Sequence, residues 1–81
     1  MQLHFINVAG VNSMRIKAFI QRVGETKLVD LDEGSRVEDL LKVLGISVSE
    51  VVPVKNGVIV TEREILRDGD EIKLLSVVSG G

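Results

Sequence analysis

From Met14 onward the chain alternates. Met14, Ile16, Ala18 and Ile20 are separated by Arg15, Lys17, Phe19 and Gln21. That period of two sends one set of side chains to a buried sheet face and the other set away from it. Gly24 permits a turn, and residues 27–32 alternate again with Val29 and Leu31 on one face, so the first half of the chain predicts a β-hairpin. The period then changes. Ser35 followed by Glu38 fits a capping box. Val37, Leu40, Leu41 and Leu44 recur at the spacing of a single helical stripe. Gly45 stands where a left-handed C-cap ends a helix, with Ile46 placed to fold back onto it. A short helix lying across one sheet face is expected.

Strand signals return at residues 51–55, where Pro53 points to an edge position because it has no amide to donate. Asn56-Gly57 is the signature of a type I′ hairpin turn, which needs positive φ at both central positions. Residues 58–60 run back as a brief strand. Residues 61–67 are polar with Ile65 and Leu66 embedded, and predict a short turn or a 3₁₀ piece that plugs the core. Asp68-Gly69-Asp70 marks another turn, and residues 71–75 form a last strand with Ile72 and Leu74 inward. The order is ββαββ with a polar excursion before the final strand. It describes an α+β fold, a mixed sheet of four to five strands with one main helix packed on one face.

Eighty-one residues make one domain. All Lys, Arg, Asp and Glu side chains lie after Met14, which sets residues 1–13 apart. We read 1–13 as an N-terminal extension, flexible or a leader, or else as an extra strand built on Leu3, Phe5 and Val8. Residues 14–75 are the folded domain and 76–81 a flexible C-terminal tail. The absence of cysteine removes disulfides and thiolate metal sites. A single histidine, His4, cannot assemble a zinc site or a Ser/His/Asp triad. With Phe5 and Phe19 as the only aromatics and a net charge of −2 spread along the chain, nucleic acid is not an expected partner. No apolar run is long enough to cross a bilayer, and the start has no signal-peptide pattern. We expect a cytoplasmic protein that does not engage membranes.

The tail, Ser76-Val77-Val78-Ser79-Gly80-Gly81, carries no charged side chain and ends in a carboxylate. At average glycine usage, a terminal glycine pair occurs by chance in only about 0.5% of chains. Without Cβ atoms, Gly80 and Gly81 fit a cleft too narrow for other residues and take backbone angles closed to them. Extended at roughly 3.3 Å per residue, the tail reaches about 20 Å beyond a strand ending near Leu75. It is long enough to place the Gly81 carboxylate inside another protein's active site.

The helix text Ser35-Arg36-Val37-Glu38-Asp39-Leu40-Leu41, the turn Val54-Lys55-Asn56-Gly57, the stretch from Leu66 through Asp68-Gly69-Asp70 to Ile72, and the terminal Val77-Val78-Ser79-Gly80-Gly81 together resemble the ThiS/MoaD family of ubiquitin-like sulfur carriers. The resemblance covers residues 14–81 and leans towards the thiamine-type carrier over the molybdopterin-type one. It implies a β-grasp fold. It also implies that the chain is a carrier and substrate, not an enzyme. A ubiquitin-activating-type adenylating enzyme, which binds the ATP and Mg²⁺ itself, would adenylate Gly81. A donor such as a cysteine desulfurase would supply sulfur to give a thiocarboxylate. A sulfur-accepting synthase in thiamine thiazole or molybdopterin synthesis, or tRNA thiolation, would receive it. Gly80, Ser79, Val78 and Val77 would thread the partner's cleft. This chain brings no cofactor or metal of its own.

Several readings stay open at this stage. Phe19 and Leu75, with Val77, fall on the strand phase opposite Ile20 and Leu74, and either dock a partner or pack within the fold. Asp68, Asp70 and Glu71 either steer a basic partner or serve as turn residues. Lys55-Asn56-Gly57 reads as a hairpin turn in preference to a phosphate loop. The chain is alternatively a modifier joined to lysines through Gly81, or a β-grasp interaction module with no reactive end.

Overall fold

The computed structural model of the protein describes residues 12–77. Strand β1 (Ser13–Ile20) pairs antiparallel with β2 (Glu25–Asp32), and helix α1 (Val37–Leu44) follows. After a 3₁₀ turn at Val48–Glu50 come β3 (Val51–Lys55), the two-residue β4 (Val58–Ile59) and β5 (Glu71–Ser76). The sheet order is β2-β1-β5-β3-β4, with β1 and β5 parallel and every other pair antiparallel. This is the mixed sheet expected, running ββαββ with β4 as the short return arm of the third strand's hairpin. The parallel pair at its centre joins the first and last strands among the described residues. The end of β5 therefore emerges beside the end of β1.

The core follows the alternation. Met14, Ile16, Ala18 and Ile20 of β1, Val29 and Leu31 of β2, Val51 of β3, and Ile72 and Leu74 of β5 are buried together with Val37, Leu40 and Leu41 of α1. The helix covers that one face. Gly45 takes the left-handed C-cap conformation (φ 71°), and the Ile46 amide folds back to the Leu41 carbonyl at 2.9 Å. Asn56 and Gly57 both have positive φ (49° and 88°), as the type I′ turn requires.

Three local expectations are revised. The helix starts one residue later than the Ser35–Glu38 pattern indicates. Arg36 is the N-cap, extended and bridged to Ile65, and its amide donates to the Asp39 carboxylate at 2.8 Å. Ser35 instead lends its carbonyl to the Leu66 amide (2.8 Å). The first free amides of the helix, those of Val37 and Glu38, donate to the carbonyls of Glu64 (3.0 Å) and Glu62 (2.9 Å). Backbone of the polar excursion thus does what a serine cap would have done.

In that excursion Leu66 alone plugs the core at 2% exposure, whereas Ile65 is 49% exposed. The Arg36–Ile65 bridge fixes the alternation there, so only one of the two neighbours can point inward. Pro53 is not on an outermost strand, since β4 lies beyond β3. Its carbonyl accepts from the Val60 amide at 3.0 Å, so its missing donor faces the side that β4 covers for only two residues. The proline is tolerated for the reason that suggested an edge.

Candidate functional site

The sheet face opposite the helix is set by the out-of-phase residues of each strand. In β1 these are Arg15, Lys17 and Phe19, lying opposite Asp30, Leu28 and Thr26 of β2. In β5 they are Glu71, Lys73 and Leu75, and Leu75 lies opposite Val52 of β3. Val54 continues the row and lies opposite Ile59 of β4.

Phe19 and Leu75 are both half-buried on this face, so they neither join the core nor stand fully free. Around them Val52 and Val54 are half-buried, and Leu28 and Ile59 are 57% and 70% exposed. The result is an apolar surface with Lys73 set within it. Charge collects at the other end of the face, where Arg15 Nε meets Asp30 Oδ1 at 3.0 Å and Lys17 lies 4.0 Å from Glu71. Because β1 and β5 run parallel, Phe19 and Leu75 stand at the end from which the tail leaves.

Sequence reasoning named Phe19 and Leu75 but missed Leu28, Val52, Val54 and Ile59. Leu28 carried a signal, since it stands directly before Val29 and so cannot share the buried face with it. The valines of β3 gave none, because residues 51–54 form an unbroken apolar run apart from Pro53 and show no phase.

Val77 is 47% exposed and its amide donates to the Glu50 carbonyl at 3.0 Å. Val78, Ser79, Gly80 and Gly81 lie outside the described residues, as do His4 and the Leu3, Phe5 and Val8 of the possible extra strand. The strand itself runs to Ser76, one residue past Leu75.

The acidic turn proves to be internal bracing. Asp70 is buried (9% exposed), accepts from the Arg67 amide at 2.8 Å and from Asn56 Nδ2 at 3.1 Å, and so is withdrawn from any steering role. Asp68 Oδ1 accepts from the Arg15 amide at 2.7 Å. Lys55 Nζ is taken up by Glu64 (2.7 Å) and the Ile65 carbonyl (3.3 Å), in keeping with a hairpin turn and not a phosphate loop. Among the described residues, no cluster of His, Asp or Glu is placed to hold a metal ion, and no helix is long and apolar enough to cross a membrane.

A mixed sheet with a central parallel pair, one helix on one face and an apolar opposite face defines a ubiquitin-like β-grasp domain. Solved structures agree. A designed protein based on ubiquitin is similar at 25% identity and a TM-score of 0.69, covering 88% of this chain and 96% of its own. The HVO 2177 protein of Haloferax volcanii is similar at 20% identity and a TM-score of 0.71, covering 100% of this chain and 99% of its own. The C-terminal ubiquitin-like domain of mouse tubulin-specific chaperone e shares the fold at 13% identity and a TM-score of 0.59, covering 93% and 98%. Within that class the sequence profile of the ThiS family matches residues 15–81. The chain belongs to the ThiS family. It is a small carrier-type, ubiquitin-like protein, of a family whose members interact with adenylating activating enzymes.

Proposed function

We propose that the chain is a sulfur carrier whose Gly81 carboxylate is the working group. An activating enzyme that binds ATP and Mg²⁺ docks on the apolar sheet face through Phe19 and Leu75 and draws residues 77–81 into its nucleotide site. A carboxylate oxygen of Gly81 attacks the α-phosphate of ATP and pyrophosphate leaves, giving an acyl-adenylate. The step is needed because a carboxylate offers no usable leaving group. Sulfide then displaces AMP and leaves a thiocarboxylate. If the sulfur arrives as a persulfide, such as that of a cysteine desulfurase, the product is an acyl disulfide that a second thiol must cleave. The thiocarboxylate donates its sulfur to a synthase in thiamine thiazole formation, molybdopterin formation or tRNA thiolation.

The observation that carries this reading is the family match, which runs through the terminal Gly80-Gly81. Two features support it. The chain has no cysteine to serve as a nucleophile of its own, and its apolar face adjoins the root of the tail. The test is intact-mass spectrometry after incubation with a ThiS-type activating enzyme, Mg-ATP and a sulfur donor. The expected result is a mass gain equal to replacement of one oxygen by sulfur, confined to the C-terminal residue and absent in Gly81→Ala. An unchanged mass, with the protein still bound through its sheet face, would favour a non-reactive interaction module. Linkage of Gly81 to a target lysine would favour the modifier.

A further inference from the structure

The last two described residues are gripped from both sides, and one grip is a side chain. The parallel ladder between β1 and β5 proceeds regularly to the bond from the Gln21 amide to the Leu74 carbonyl (3.1 Å). In a regular parallel ladder the next bond would run from the Ser76 amide to the Gln21 backbone carbonyl. That carbonyl is already engaged. The chain turns at residues 21–24, and the Gly24 amide bonds the carbonyls of Ile20 (2.8 Å) and Gln21 (3.2 Å).

The Gln21 side chain supplies the missing acceptor. Its Oε1 accepts from the Ser76 amide at 2.8 Å, across 55 positions of sequence. The acceptor must be the oxygen, since an amide N–H cannot donate to the NH₂ group. On the other side the Val77 amide donates to the Glu50 carbonyl. Arg22, next to Gln21, pairs with Glu50 at 3.5 Å and so ties the two grips together.

We propose that Gln21 is a positioning residue for the C-terminal tail. Its side-chain carbonyl extends the β1–β5 ladder by one bond and fixes the direction in which the chain leaves Ser76. This role rests on the carrier reading above, in which the tail must enter a partner's nucleotide site while the sheet face stays docked. Without the bond the sheet still docks, but the root of the tail is held from the β3 side alone, through the Val77–Glu50 bond, and the tail spends less time aligned with that site.

The test compares wild type with Gln21→Leu, which keeps the size and loses the acceptor, and with Gln21→Glu, which keeps it. Amide hydrogen exchange is read first, in the protein alone. Gln21→Leu should lower the protection of the Ser76 amide by about tenfold, in line with loss of one hydrogen bond, while that of Leu74 holds. Gln21→Glu should restore it. Adenylation by the activating enzyme is read second. In Gln21→Leu kcat should fall by roughly fivefold with KM unchanged, since docking is intact, and Gln21→Glu should recover to within about twofold.

A merely structural role would lower the unfolding midpoint and leave kcat alone. Unchanged Ser76 protection in Gln21→Leu, or wild-type kcat once protection is lost, would overturn the proposal. If the wild-type chain is not adenylated at all, the carrier reading fails on its own, and Ser76 protection alone then decides whether Gln21 fixes the exit.

Discussion

Asn56 and Asp70 lock two turns together. Asn56 Nδ2 donates to Asp70 Oδ1 at 3.1 Å, while Asn56 Oδ1 accepts from the Glu71 amide at 3.0 Å and Asp70 Oδ2 accepts from the Arg67 amide at 2.8 Å. Both carboxylate oxygens of Asp70 are thus engaged in a site only 9% exposed. Asp70→Ala leaves the Arg67 amide and the Asn56 amide group without their acceptor and should cost about 2–3 kcal/mol. Asp70→Asn keeps one acceptor oxygen and should fall between the two. Urea unfolding would check this order, and equal midpoints for all three proteins would contradict the bracing role.

Leu66 and Ile65 are adjacent but inequivalent. Leu66, at 2% exposure, enters the core from an irregular segment, and its amide is anchored to Ser35. Leu66→Ala should destabilise by about 2–5 kcal/mol through the cavity it leaves. Ile65→Ala, at a site 49% exposed, should cost less than about 1 kcal/mol. Similar losses at the two positions would mean that both pack inward.

The difference between those neighbours shows where the sequence is legible and where it stops. Alternation in residues 14–20 and the stripe of Val37, Leu40 and Leu41 are local patterns, and each buried face they indicate is buried. Gly45, Asn56 and Gly57 adopt the left-handed angles their turn chemistry requires. Misjudged features depend on distant partners. Ser35 is a plausible cap until the carbonyls of Glu62 and Glu64 arrive from a later segment and occupy the helix start. The Gln21–Ser76 bond had no signal at all, because a glutamine next to a turn is ordinary and its partner lies 55 positions away. Of the candidate site, Phe19 and Leu75 were legible as out-of-phase apolar residues. Val52 and Val54 join them only through pairing with β5 and β4.

If the open sheet face docks the activating enzyme, substitutions there should separate binding from folding. Phe19→Ser and Leu75→Ser remove half-buried surface and should cost no more than about 1.5 kcal/mol each. They should also weaken docking, with a rise in KM of about tenfold, because apolar anchors at the centre of an interface dominate its energy. Leu28→Ser should raise KM less, since it stands further from the tail. Val43→Ser, on the helix at 46% exposure, serves as the control. A KM change at Val43 matching that at Phe19 would place the docking surface on the wrong face.

Ser76 sits where β5 gives way to the tail, and its hydroxyl contributes nothing visible there. Among the described residues its Oγ is buried with no hydrogen-bond partner, although the residue's amide is bonded to Gln21 and its backbone pairs with Val51. A buried hydroxyl without a partner keeps its desolvation cost and gains no bond in return. Ser76→Ala removes that cost and leaves every backbone bond in place. Unfolding free energy should therefore hold steady or rise by about 1 kcal/mol. The amide protection of Ser76 should stay at the wild-type level, because the Gln21 bond does not use the side chain. A loss of stability beyond about 0.5 kcal/mol would show that the hydroxyl finds an acceptor, and the neighbouring tail residues would be the first place to look for it.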